Sequence, residues 1–305
     1  MLPPISGTTQ QFLAGLDRIQ LEMNAVQGEL SSGIRVGRPS DDPAAVASIL
    51  GVQTELAVAT QSQTNLDQVK TELQTSDSAL QSAVQAIDQA LAIAAQGATS
   101  TSSTARTTLI DQVQAIQEQL VSITQTKVSG RYIFSGDLDQ QPLYALDSTQ
   151  PNGISHLAVT TSTRVITDGA GRSIWVPKTA QEIFDARNPD STPASGNVFD
   201  AVNQLLSALK SGDTTGAATA ADALNAANDH LNQELGLYGI AENSIAEASA
   251  AVATDMTSTK QNLSTLRDAD IAGDAIRLSQ LNLQQQAALS ARSSMSKLNL
   301  FDFLT

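Results

Sequence analysis

No cysteine occurs among the 305 residues, which excludes disulfides, thiolate metal sites and cysteine nucleophiles. Histidine is almost as scarce. His156 and His230 stand alone, too few for a multi-histidine metal site, and packed or solvated roles suit them better than catalysis. Basic residues are outnumbered, 17 Lys plus Arg against 31 Asp plus Glu, for a net charge of −14. A nucleic-acid partner requires a basic footprint that replaces counterions on phosphate, so the balance argues against that class. Anionic membrane surfaces are disfavoured for the same reason. No stretch approaches the roughly 18 consecutive apolar residues that span a bilayer, so no membrane insertion is expected. Residues 1–11 lack a basic segment followed by an apolar run, so a cleaved Sec-type leader is not expected, and export by a route that cleaves nothing stays open.

Aromatic residues make up only 3% of the chain, while Ala, Ser, Thr, Gln and Leu dominate. That composition suits long packed helices. The spacing agrees. Phe12, Leu16, Ile19, Met23, Val26 and Leu30 follow steps of four and three, one apolar seam along a helix. Ser31-Ser32-Gly33 ends it, with Gly33 as the residue past the helix C-terminus. In Arg35-Val36-Gly37-Arg38-Pro39-Ser40-Asp41-Asp42-Pro43, Pro43 suits the first helical position and Asp42 the N-cap. The next seam runs through Leu66, Val69, Leu73, Ser76, Leu80, Val84, Ile87 and Leu91, predicting one helix from about 43 to 96. A Ser/Thr-rich turn is expected at 97–104, and a returning helix on Leu109, Val113, Ile116, Leu120 and Ile123.

At Gly130 the period changes. Arg131-Tyr132-Ile133-Phe134, His156-Leu157-Ala158-Val159, Arg164-Val165-Ile166 and Ile174-Trp175-Val176 read as strands, with Asp168-Gly169-Ala170-Gly171 as a turn. Helix returns at Val198, Phe199, Val202, Leu205, Leu206 and Leu209. The longest seam then follows: Leu231, Leu235, Tyr238, Glu242, Ile245, Ser249, Val252, Met256, Thr259, Leu263 and Leu266. The register breaks at Arg267-Asp268-Ala269-Asp270, and a last helix carries Ile271, Ala275, Leu278, Leu281 and Leu289. The chain closes on Leu298, Leu300, Phe301, Phe303 and Leu304.

The expected fold is therefore mainly α with a small β insertion. A long antiparallel helical bundle or coiled coil is built from both chain ends, and the small central domain is β-rich. Three parts follow: 1–42 with 267–305 as a terminal coiled coil, 43–136 with 197–266 as a helical bundle, and 137–196 as the insertion.

No catalytic, cofactor or metal site is expected. Asp41-Asp42 reads as a helix cap rather than paired acids, and Asp268 and Asp270 as a helix junction without EF-hand spacing. The Gly pair at 169 and 171 lacks the remainder of a phosphate loop, and no serine sits in a nucleophile elbow.

The chemistry lies instead in the ends. Each outer helix carries a seam without a local partner, and isolated helices are marginal in water. The ends are expected to be disordered in the monomer and to order on assembly. The expected assembly interface comprises Phe12, Leu16, Ile19, Met23, Val26 and Leu30 at one end. At the other it comprises Ile271, Leu278, Leu281, Leu289, Leu298, Leu300 and Phe301. Charge points the same way. Residues 265–305 carry four acids and four bases and residues 1–42 come to −2, so the acidity sits in the middle and the ends can crowd beside copies of themselves.

Leu30-Ser31-Ser32-Gly33-Ile34-Arg35-Val36 followed by Pro39-Ser40-Asp41-Asp42-Pro43 resembles the N-terminal signature of the flagellin-like family, which holds flagellins and hook-associated junction proteins. Gly130-Arg131-Tyr132-Ile133-Phe134-Ser135-Gly136, the Asp268-Ala269-Asp270 break and the ending Leu298-Asn299-Leu300-Phe301-Asp302-Phe303-Leu304 are similar to the same family. The resemblance covers about 10–136 and 197–305, and the first ten residues depart from it. It implies a structural, non-enzymatic subunit of the extracellular bacterial flagellum, exported unfolded and uncleaved by the type III apparatus. The subunits would ring the junction between the second hook-associated protein and the flagellin filament. An export chaperone would bind the C-terminal helix, and no cofactor is implied. Two other readings remain: flagellin itself, or a surface adhesin whose insertion presents Trp175.

Overall fold

A computed structural model describes residues 7–99, 102–147, 149–150, 153–167 and 173–301, with the side chains of Thr8 and of residues 294–301 outside it. Seven α-helices appear among the described residues: α1 (Gly7–Ser32), α2 (Pro43–Thr99), α3 (Ser103–Thr124), α4 (Ala180–Phe184), α5 (Val198–Ser211), α6 (Thr214–Arg267) and α7 (Ile271–Phe301). The chain is mainly helical, as its periodicity requires. It divides into two compact units, one from residues 1–60 with 254–305 and one from residues 61–253.

In the unit of residues 61–253, the heptad positions go inside. Leu66, Val69, Leu73, Leu80 and Ile87 of α2 are buried, as are Leu109, Val113, Ile116, Leu120 and Ile123 of α3. From α6, Leu231, Tyr238, Ile245 and Val252 join them. α3 packs against α5, whose Val198, Phe199, Val202, Leu205, Leu206 and Leu209 are all buried. Asn197 caps α5 by accepting from the Asp200 amide at 2.9 Å. α2 and α6 are also joined by polar links, Gln63 to Ser249 at 2.7 Å and Asn228 to Asp88 at 2.6 Å. α2 runs to Thr99, past the turn expected to begin at 97, and Gly97 is buried within it.

The β insertion belongs to this unit and consists of small antiparallel pairs: β1 (Lys127–Val128) with β2 (Arg131–Tyr132), β3 (Tyr144–Leu146) with β4 (Ile154–His156), and β5 (Ile166–Thr167) with β6 (Ser173–Trp175). The strand expected over 156–159 instead ends at His156, because Tyr144 pairs with His156 and the pairing runs back to Ile154. The strand expected over 164–166 begins only at Ile166. The turn expected at 168–171 lies outside the described residues.

One buried polar cluster holds the insertion together. Asp185 accepts from the Tyr144 hydroxyl at 3.0 Å, Asn197 Nδ2 at 2.8 Å and Arg187 Nη2 at 3.0 Å. Burial first, and the Asp185 charge second, push the Tyr144 hydroxyl far above its ordinary range, so it remains a donor. Glu72 of α2 receives Arg131 at 3.0 Å and Arg164 at 2.7 Å, tying both ends of the loop region to the helix.

Candidate assembly interface at the paired chain ends

The unit of residues 1–60 and 254–305 is built on α1 lying against α7. Three contacts fix the direction. Arg292 Nη2 donates to Thr9 Oγ1 at 3.0 Å, Arg277 reaches Glu22 at 3.8 Å, and Asp274 stands beside Glu29. Numbers rise on one helix as they fall on the other, so the pair is antiparallel. Arg292 also lies over the Phe12 ring, 5.8 Å from its centroid.

Below this pair the two connections are stitched together. Gly33 adopts φ +68 and donates its amide to the Glu29 carbonyl at 2.8 Å, a left-handed C-cap. Its own carbonyl accepts from the Ala269 amide at 3.0 Å, and the Arg267 carbonyl accepts from Arg35 at 2.8 Å and Val36 at 3.1 Å. Arg35 Nη2 donates to the Leu266 carbonyl at 2.7 Å. Behind the stitch, Val36, Ile49 and Leu263 form a small apolar core, flanked by Ala45, Val52, Leu56 and Leu266. The Ser31-to-Pro43 loop and the Arg267-to-Asp270 break are thus two halves of one junction.

The acidic residues of the junction are structural. Asp42 Oδ1 accepts from the Ala45 amide at 3.2 Å and caps α2. Asp41 Oδ2 accepts from the amides of Gly37 and Arg38 and closes the loop. Asp270 Oδ1 accepts from the Gly273 amide at 3.1 Å and caps α7. The Arg35 hydrogen bond and the Ala45 amide hold the Asp42 carboxyl below its ordinary range. Hydrogen bonds from Ser264 and Arg267 do the same for Asp268. Gly33→Ala tests the stitch. Its new Cβ meets nothing within 4 Å, so only the left-handed backbone is penalised, by about 1–2 kcal/mol. Hydrogen exchange at the Ala269 amide, which donates to Gly33, is expected to accelerate.

Of the expected interface residues, Val26 (1% exposed) and Leu281 (4%) are fully buried. Phe12, Leu16, Ile19, Met23, Leu30 and Leu278 are half-buried, while Ile271 and Leu289 face outward. The side chains of Leu298, Leu300 and Phe301 lie outside the described residues. The seam expectation passed over further apolar residues on the outer sides of both helices. Leu13, Leu21 (70% exposed), Ile276 and Leu283 (68%) are uncovered. Leu13 and Leu21 are eight residues apart, Ile276 and Leu283 seven, so each pair shares one side of its helix. The signal was available in the sequence as a second 7- to 8-residue repeat beside the first.

No group of three or more His, Asp or Glu side chains able to hold a metal comes together among the described residues. His156 stacks on Tyr144 with centroids 4.8 Å apart, and His230 Nε2 lies 3.2 Å from the Glu182 carbonyl. Trp175 is half-buried and packs edge-on against Tyr238 at 4.8 Å. One window of α2 reaches a mean hydropathy of 1.2, long and apolar enough to cross a membrane by length and composition alone.

Antiparallel terminal helices joined by a stitched junction, with apolar side chains left exposed on both, define a structural rather than a catalytic class of chain. Comparison gives that class a particular place. Residues 7–139 match the family model of the bacterial flagellin N-terminal helical region, and residues 221–304 that of the C-terminal helical region. The chain is similar to flagellar hook-associated protein 3 of Escherichia coli, 27% identical over 240 residues, 74% of this chain and 73% of that protein. Its similarity to the Salmonella typhimurium protein of the same name is 26% over 250 residues, with the same shares. A solved Vibrio parahaemolyticus protein described as flagellar hook-associated shares the fold, with a TM-score of 0.64 at 18% identity over 75% of this chain and all of that one. The chain carries both flagellin-type terminal regions and is a structural protein of the bacterial flagellum.

Proposed function

We propose that this chain forms the junction between the hook-associated layer and the flagellin filament, as a ring of copies packed through their paired ends. The observation that carries this reading is the uncovered face of α1 and α7. Each helix of the pair has a side turned away from its partner, and there Leu13 and Leu21 of α1 and Ile276 and Leu283 of α7 remain in water. Neighbouring subunits would bury them, at about 25 cal/mol per Å² of apolar surface. The second hook-associated protein on one side and flagellin on the other are the proposed neighbours. No bond is made or broken, and the chain is not an enzyme. It is exported through the flagellar type III apparatus to an extracellular position, with a chaperone on the C-terminal helix beforehand. The terminal coiled coil (1–42 with 267–305), the bundle (43–136 with 197–266) and the insertion (137–196) act as three parts.

A deletion strain tests the reading. Filaments should be lost while flagellin spills into the medium, and restored by the intact gene. Normal filaments in the deletion strain would overturn it. The flagellin-type terminal regions also favour the filament subunit itself as a second reading. In that case the purified chain would polymerise alone into long filaments, whereas a junction protein should not.

A further inference from the structure

Glu29 and Asp274 face one another across the α1–α7 seam, one turn above the stitch. Asp274 Oδ2 is buried and has no hydrogen-bond donor. The neighbouring Glu29 is within hydrogen-bonding reach of Asp274, but two carboxylates have no proton to place between them. The remaining charged groups around Glu29 are Arg277 on α7 and Arg35 in the loop. Each is engaged elsewhere, Arg277 with Glu22 and Arg35 with Asp42 and the Leu266 carbonyl.

We propose that Glu29 and Asp274 are a proton-operated latch on the paired ends. With both charged the seam is held loose, and protonated Glu29 donates to Asp274 and closes it. This deepens the assembly reading and rests on it: a like-charge contact built into the seam disfavours early pairing, and burial against neighbours would then have to overcome it.

The direction follows from the surroundings of Glu29. Burial first and the Asp274 charge second raise its carboxyl above the ordinary range, while Arg277 and Arg35 pull it back. A carboxyl raised in the paired state binds protons there more readily than in the open state. Pairing therefore strengthens as pH falls from neutrality and weakens as it rises. Asp42 and Asp268, both held low, lose their contributions only at lower pH. The window for the latch is thus between neutrality and the ordinary carboxylate range.

Hydrogen–deuterium exchange on the full chain at pH 7.5 and pH 5, corrected for intrinsic rates, reads the latch directly. Peptides from residues 9–32 and 271–292 should be several-fold more protected at the lower pH. Peptides from the buried part of α3 serve as the internal reference. Glu29→Gln should be protected at both pH values, with the ratio close to one. The latch is overturned if Glu29→Gln keeps the original ratio, or if neither helix shows protection at either pH. Filament loss in the deletion strain is read separately, so the latch and the junction reading can fail independently.

Discussion

Leu281→Asp is expected to abolish incorporation into the flagellum, with a loss of well over tenfold. Leu281 is 4% exposed, on the inner side of α7. A carboxylate buried there costs about 3 kcal/mol or more, because the closed seam withholds solvent from it. A tenfold change in equilibrium needs only about 1.4 kcal/mol. The second unit provides the control. Its single Trp, Trp175, packs on Tyr238, so the thermal transition followed by tryptophan fluorescence should stay in place. Normal incorporation of the variant, or a large shift in the Trp175 transition, would contradict the placement of Leu281. Leu283→Asp is a useful contrast. That side chain is 68% exposed, so the single chain should tolerate it while assembly suffers.

Asp185→Ala should produce the largest loss in the other unit, about 2–4 kcal/mol. The carboxylate is 4% exposed and takes hydrogen bonds from Tyr144, Asn197 and Arg187. Truncation leaves the Tyr144 hydroxyl buried without its acceptor, and frees one Asn197 hydrogen. Asn197 also caps α5 and Tyr144 lies in β3, so the damage should spread from the insertion to the α3–α5 packing. Tryptophan-detected unfolding in denaturant would show it as a lower midpoint with little change in slope. Tyr144→Phe removes one donor and leaves the acceptor two others, so its loss should be clearly smaller. Equal losses for the two variants would contradict the three-donor arrangement.

The long helices were legible because period and burial coincide. All five seam residues of α3 are buried, and so are all six of α5. Caps were legible too. Asp42 stands directly before Pro43 and receives the Ala45 amide, and Gly33 takes the left-handed position its place after Ser32 called for. The insertion was not. Strands of two or three residues carry no period to read, and β3 exists because Tyr144 to Leu146 meets His156 to Ile154. α4, five residues long, was missed as well. Its capping box, Thr179 with Glu182, is a local signature that could have revealed it. Of the terminal seam residues, Val26 and Leu281 are buried, Ile271 and Leu289 face outward, and the exposed Leu13, Leu21, Ile276 and Leu283 lie off the seam.

The sequence by itself determined the long helical segments, the caps at Gly33 and Asp42, and that each end carries an apolar stripe, because these depend on neighbours within a few residues. Only the tertiary structure decided that α1 and α7 run antiparallel with Glu29 beside Asp274. It also decided that Gly33 and Arg35 share hydrogen bonds with Ala269 and Arg267. Partners more than two hundred residues apart have no period in common, and their meeting follows from closing the whole chain, a cost repaid by burial at the seam rather than by any local preference.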